Sequence, residues 1–271
     1  MKDPGGLPLL NHPLDEESAF TPDALLDAVR AERNLPRDPI PRVCLMDFDG
    51  DVCDWLVESG RAARCASWAC FHTPMWSIEI DGELCGIVPR TIGGPYAVLA
   101  AEQLAASGAK LILGLTSAGR VDPSLPLPSF VVATGAIRDE GTSHHYVAPG
   151  AFIAAPAGVI EPLCAGLAGL GRAVSQGVVW TTDAPYRETR SQLAKYAEAG
   201  VLAVEMQAAS LFAFAAARGA AVGVVAQVTN AVDRTDEAFD KGTPLDEGRV
   251  VEAILRSGLR YLDFSAVRGL G

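Results

Sequence analysis

Residues 200–219 read GVLAVEMQAASLFAFAAARG. An apolar run stops abruptly at Glu205-Met206-Gln207, and a small-residue helix follows, with Gly219 where a C-cap belongs. A strand handing over to a helix is the repeating step of an α/β fold. Here the polar residues fall at the strand's end, where such sheets bind ligands. Two polar side chains flanking a thioether can grip a small polyol, with the sulfur arm on its apolar face. Buried without a cavity to face, they would cost stability.

The same step recurs on both sides. Apolar runs predict strands over 43–46, 76–80, 83–88, 109–115, 129–134, 173–181, 201–205 and 221–229. Asp81-Gly82 between the second and third is a two-residue hairpin signal. Helical spacing covers 96–107, 156–170, 185–199 and 207–218. Thr21-Pro22-Asp23 opens an earlier helix with Thr21 as N-cap, and Thr243-Pro244 opens a last one through about residue 262, with Asp246 placed for a capping box. The expectation is one α/β domain over 21–271, a mixed, mostly parallel sheet flanked by helices. Residues 1–20, polar and rich in Pro and Gly, read as a flexible N-terminal arm.

Composition narrows the function classes. At 271 residues and 49% hydrophobic content the chain can bury a full core. The net charge of −11 argues against nucleic acid or an anionic membrane as partner, because phosphate neutralisation needs clustered Lys and Arg. No apolar run spans a bilayer, the N-terminus has no secretory h-region, and the six cysteines form no CxxC pair. A reduced, cytoplasmic enzyme is the expectation, with no cofactor and no metal.

Five stretches could carry chemistry. Gly93-Gly94-Pro95 opens a helix after a strand and offers backbone N–H groups to an anion or oxygen, or is simply a tight turn. Residues 114–120, GLTSAGR, could cradle a ligand through Thr116 and Ser117, or form a plain turn. Residues 136–146 are densely polar, but His144 and His145, adjacent on a loop, make a poor metal pair. In 181–190, TTDAPYRETR, Thr181 and Thr182 end a strand, and Arg187 or Arg190 could present a two-donor fork to a heterocycle; the bland reading is an Asp183 N-cap beside surface arginines. Residues 47–51, DFDGD, resemble the aspartate loop of haloacid-dehalogenase-type phosphatases, which use an Asp nucleophile and a divalent cation. Asp51 stands where that pattern has Thr, and its later Lys and acidic pair have no clear counterpart, so an acidic turn is the preferred reading.

Together the pieces resemble the purine nucleoside/uridine phosphorylase superfamily, in its uridine phosphorylase-like branch. TIGGPYAVLAAEQLAASGAK is similar to the family's "GGPS…EEL…GAK" helix, and GAIRDEGTSHHYVAP to "AVRDEGTSYHY". WTTDAPYRETRSQLAKYAEAGVLAVEMQAASLFAFA resembles "TTDAPYRET…GVLAVEMEAAALFAVA" nearly letter for letter. The likeness covers about residues 80–235. It implies a pentosyltransferase that breaks a nucleoside's N-glycosidic bond by phosphate attack, with phosphate as co-substrate and a homo-oligomer (dimer, trimer or hexamer) as the working form.

By position, Glu205, Met206 and Gln207 would face the ribose. Arg187 and Arg190 would face the base, with Thr181 and Thr182 nearby, and Gly93, Gly94, Thr116 and Ser117 complete the binding set. Purine-specific members carry an Asp after the next strand; Asn230 in that region leans the leaving group towards a pyrimidine. Arg187, Gln207 and Asp49 are the catalytic candidates. Three departures bear on a plain phosphorylase reading, the first at the sugar diol and the other two at the phosphate site. Gln207 replaces a Glu, Ile112 stands where a phosphate Arg is expected, and DFDGDVCDW takes the place of a "GDPxR" loop. The alternatives are a nucleosidase in which Asp47, Asp49 or Asp51 orients water, and a repurposed or non-catalytic nucleoside-binding member.

Overall fold

Side-chain alternation along two central strands sets the architecture. On β1 (Val43–Asp47), Val43 and Leu45 enter one apolar layer, and Cys44 and Met46 the other. On β5 (Leu111–Arg120), Leu111 and Leu113 join the first layer and Ile112 the second. Strands buried on both faces need helices on both sides, and the computed structural model, which describes residues 6–232 and 244–268, supplies them. α3 (Gly94–Ala106) and α6 (Ala208–Arg218) cover one face. α2 (Asp51–Glu58), α4 (Ile160–Leu167) and α7 (Pro244–Arg268) cover the other. Outside these lie α1 (Pro22–Arg33) and α5 (Arg190–Glu198).

The remaining strands are β2 (Ala63–Arg64), β3 (Trp76–Ile80), β4 (Glu83–Pro89), β6 (Ser129–Asp139), β7 (Phe152–Ala154), β8 (Ala173–Thr182), β9 (Val201–Glu205) and β10 (Ala221–Ala231). β5 is the hub. Its first half pairs in parallel with β1, and its whole length pairs in parallel with β10. Its last residues, Gly119 and Arg120, pair antiparallel with β9. From β10 the sheet continues through β6 and β8 back to β9, so five strands close a ring while β1, β4, β3 and β2 extend as an open wing. The sheet is mixed, as expected: the long central ladders are parallel, and antiparallel pairs close the ring and build the edges.

Most expected elements stand. Thr21 caps α1 by accepting from Ala24 N, and the β3–β4 hairpin turns through Asp81 and Gly82 at φ +52° and +85°. Three readings change. The helix expected over 185–199 begins only at Arg190, because a 3₁₀ turn, Pro185–Arg187, and the extended Glu188 precede the Thr189 cap. Residues 114–120 are not a loop but the second half of β5, held between β10 and β9. The acidic turn is the end of β1 followed by α2, which the sequence reading did not foresee. Asp47 accepts from Gly50 N at 3.2 Å and Cys53 N at 2.9 Å, so its carboxylate starts the helix. Gly50, at φ +86°, lies so close to Arg90 that a Cβ would meet Arg90 Cγ at 2.6 Å. Pro244 opens α7, which runs on to Arg268. The expected caps at Thr243 and Asp246 lie outside the described residues and side chains.

Candidate active site

The junction of β9 and α6 is held by one buried carboxylate. Glu205 Oε2 accepts from Gln207 N at 2.6 Å and Ala208 N at 2.8 Å, satisfying the first donors of α6. Its Oε1 accepts from the Thr181 hydroxyl at 2.5 Å, and Thr181 Oγ1 in turn accepts from Ala209 N at 2.9 Å. Burial pushes the Glu205 carboxyl up to about 7, against the pull of these donors. Glu205 and Thr181 therefore anchor the helix start, and both Glu205 oxygens are already engaged. The helix is also locked from its flank: Ser210 Oγ donates to Glu140 at 2.6 Å, and an added Cβ on Gly94 would lie 2.2 Å from Ser210 Oγ.

Gln207 is buried, and its Oε1 accepts from the Thr116 hydroxyl at 3.2 Å. That bond joins the α6 start to the middle of β5. Two cavities open beside it and share Ser117. The larger, about 440 Å³, is bounded by Ser117–Gly119 of β5, Val204, Glu205 and Met206, the β10 end at Asn230, and Pro185 with Glu188. It has the size of a small-ligand pocket. The smaller, about 130 Å³, is lined by Asp47, Asp49, Asp51, Thr116, Ser117, Gln227, Thr229 and Glu247.

The second cavity is acidic. Burial lifts Asp47 to about 6, with Asp49 and Asp51 pushing it further up. Among the described residues no Lys or Arg lines it. Arg172 lies 4.0 Å from Glu247, and Arg90 is tied to Asp54. The DFDGD stretch thus reaches the pocket region, as one wall of a chamber next to Thr116 and Ser117.

The remaining candidates are placed as follows. Thr182 is buried and accepts from Ala184 N at 3.2 Å, away from both cavities. Gly93, the N-cap of α3 at φ +86°, and Gly94, which packs against Ser210 of α6, line neither cavity, which favours the tight-turn reading. Arg187 and Arg190 depart from expectation: both are exposed and neither lines a cavity. A 3₁₀ turn, Pro185–Arg187, carries Arg187 outward, and Arg190 begins α5 on its exposed side. The residue they flank, Glu188, turns in instead; sequence reading missed it, because the arginines drew the functional assignment. Burial raises the Glu188 carboxyl to about 7. A wider groove of about 1110 Å³ between the N-terminal segment and α3 takes in Gly141, Thr142, His145, Tyr146 and Asp183 from the polar stretches, but none of the residues expected to bind the nucleoside.

A sequence profile of the phosphorylase superfamily matches residues 48–256, which takes in both cavities' principal walls. The chain belongs to the phosphorylase superfamily. It is 26% identical over 204 residues to a uridine phosphorylase of Salmonella typhimurium, covering 69% of this chain and 79% of that protein. It is 29% identical over 216 residues to a guanosine phosphorylase of Halorubrum lacusprofundi, covering 79% and 84%. A uridine phosphorylase of Thermococcus kodakarensis is 30% identical over 163 residues, covering 55% and 59%. Among the described residues no helix is long and apolar enough to cross a membrane, and all six cysteines are free thiols.

Proposed function

We propose that this phosphorylase-superfamily member breaks the N-glycosidic bond of a nucleoside, with phosphate attacking C1′ to give free base and ribose 1-phosphate. The observation that carries this reading is the Glu205-Met206-Gln207 junction, braced by Thr181 and Thr116 and opening on a 440 Å³ cavity. In this reading Met206, on the cavity wall, would lie against the sugar's apolar face, and Gln207, which is buried and lines neither cavity, would meet the sugar's hydroxyls only from behind that wall. A reaction with an oxocarbenium-like transition state asks mainly for such positioning. Asn230, rather than a carboxylate, at the end of β10 supports a pyrimidine leaving group. The names of the relatives, uridine and guanosine phosphorylase, keep both base classes in view. We further infer a cytoplasmic homo-oligomer, testable by light scattering on the purified chain.

One observation favours water over phosphate. An anion entering the 130 Å³ chamber would meet Asp47, Asp49, Asp51 and Glu247. In that reading Asp49 orients or activates a water. Base release from a nucleoside panel, with and without phosphate, separates the two. Release that requires phosphate and yields ribose 1-phosphate supports phosphorolysis. Phosphate-independent release of free ribose supports hydrolysis, and silence across the panel overturns both.

A further inference from the structure

Residues 185–190, PYRETR, alternate between turning out and turning in. The 3₁₀ turn Pro185–Arg187 ends at Glu188 in extended conformation, φ −62° and ψ 122°. Thr189 then caps α5 in a capping box with Gln192, fixing where Glu188 sits. Tyr186, Arg187 and Arg190 are exposed, while Pro185 and half-buried Glu188 line the larger cavity. The Glu188 carboxyl has no hydrogen bond to any described residue. Glu205, the other carboxyl of that cavity, already accepts three hydrogen bonds from the protein. Of the two, Glu188 is the one left for a ligand.

We infer that Glu188 is a specificity-determining residue that reads the ring N–H of a lactam base. That edge is shared by uracil-, hypoxanthine- and guanine-type bases and is missing from cytosine and adenine. The inference rests on the nucleoside reading given above. A carboxyl oxygen accepts a hydrogen bond whether or not the group carries its proton, so a ring N–H suits either form. Cytosine and adenine present an unprotonated ring nitrogen at that edge. Its lone pair would face the carboxylate and leave two acceptors unpaired in a half-dry cavity, a penalty of about tenfold or more. With burial holding the group near 7, the carboxylate dominates at pH 8, where discrimination is sharpest.

The test compares the native chain with Glu188→Gln at pH 8, on uridine against cytidine and inosine against adenosine. The native chain is expected to favour uridine and inosine. Glu188→Gln should narrow both kcat/KM ratios by about tenfold, because a carboxamide can present either a donor or an acceptor. Ratios unchanged in an active Glu188→Gln variant would overturn the role of Glu188 while leaving the nucleoside reading intact. Calorimetric Kd values for the same four nucleosides decide the point independently of turnover. Binding with the expected ratios but no base release would uphold Glu188 and remove only the catalytic reading. Absence of binding as well as release would remove both.

Discussion

The two cavities on either side of Ser117 share a strand and differ in almost everything else. The larger is walled by the stretch most similar to the family, with Met206, Asn230 and Glu188 around a mixed polar and apolar space. The smaller presents four carboxylic side chains and, among the described residues, no cation. A family whose members are named phosphorylases would be expected to keep both halves of its site. Here the half proposed for the nucleoside is a mixed polar and apolar space, and the chamber beside it carries the opposite charge to the one an anion needs. On the reading proposed above, sugar recognition and the choice of nucleophile would be carried by separate pieces of chain.

The largest effect expected comes from the frame on which the comparison stands. Glu205→Ala strands the Thr181 hydroxyl and two helix-start N–H groups in a buried place. Urea unfolding should show a loss on the order of 3 kcal/mol; a near-neutral result would show that the α6 start does not depend on this carboxylate. Next is the charge of the small chamber. If phosphate must enter it, Asp49→Asn should lower the KM for phosphate by about tenfold. If water is the nucleophile, the same change should cut base release by roughly a hundredfold with no phosphate effect. Either result sharpens the contrast between the chambers, and no change in either quantity breaks it.

Gln207→Glu probes the link between the two sides. The new carboxylate keeps the acceptor for Thr116 and, if residue 207 meets the sugar diol as proposed, offers it a charge-assisted bond about twice as strong as a neutral one. Ribonucleoside kcat/KM is expected to rise a few-fold, with 2′-deoxynucleosides unaffected. A fall for both would show the amide to be matched to another ligand.

The smallest effect is in the pH dependence of stability. Burial raises Glu205 and Glu188 from 4.5 to about 7 and Asp47 from 3.8 to about 6. The folded chain therefore holds protons that the unfolded chain has released, and these groups make stability fall as pH rises from about 4 to about 7. The Tm should drop by a few degrees between pH 5 and pH 8, and Glu188→Gln should remove part of that slope. A flat profile in both proteins would mean these carboxyls are better solvated than their burial implies.

Much of the fold was legible because its strands bury both faces and its turns carry distinctive residues. The 201–205 strand, the 76–80 and 83–88 hairpin and the opening of α1 all follow from apolar runs and capping chemistry. The second half of β5 was not legible. GLTSAGR has the small residues of a loop, and it is a strand because β10 and β9 clamp it, with Gly119 admitting Val232 where a Cβ would lie 2.2 Å away. α2 was missed because the acidic residues drew the eye from Val52, Cys53 and Leu56, which form its buried stripe. At the site, the Glu205-Met206-Gln207 junction could be read from sequence. The direction of Glu188 could not, since one residue's rotation within a 3₁₀ turn decides which of three charged neighbours faces inward.

The shared strand has a consequence for how such a protein can change. Ser117 borders both chambers, and its neighbour Thr116 is bonded to Gln207 at the head of α6. Shifting β5 to enlarge one compartment would encroach on the other and pull on the helix as well. A change of attacking group is therefore accommodated more freely on the far walls, from the end of β1 to the start of α2 and on α7. Those are the places where the carboxylates stand.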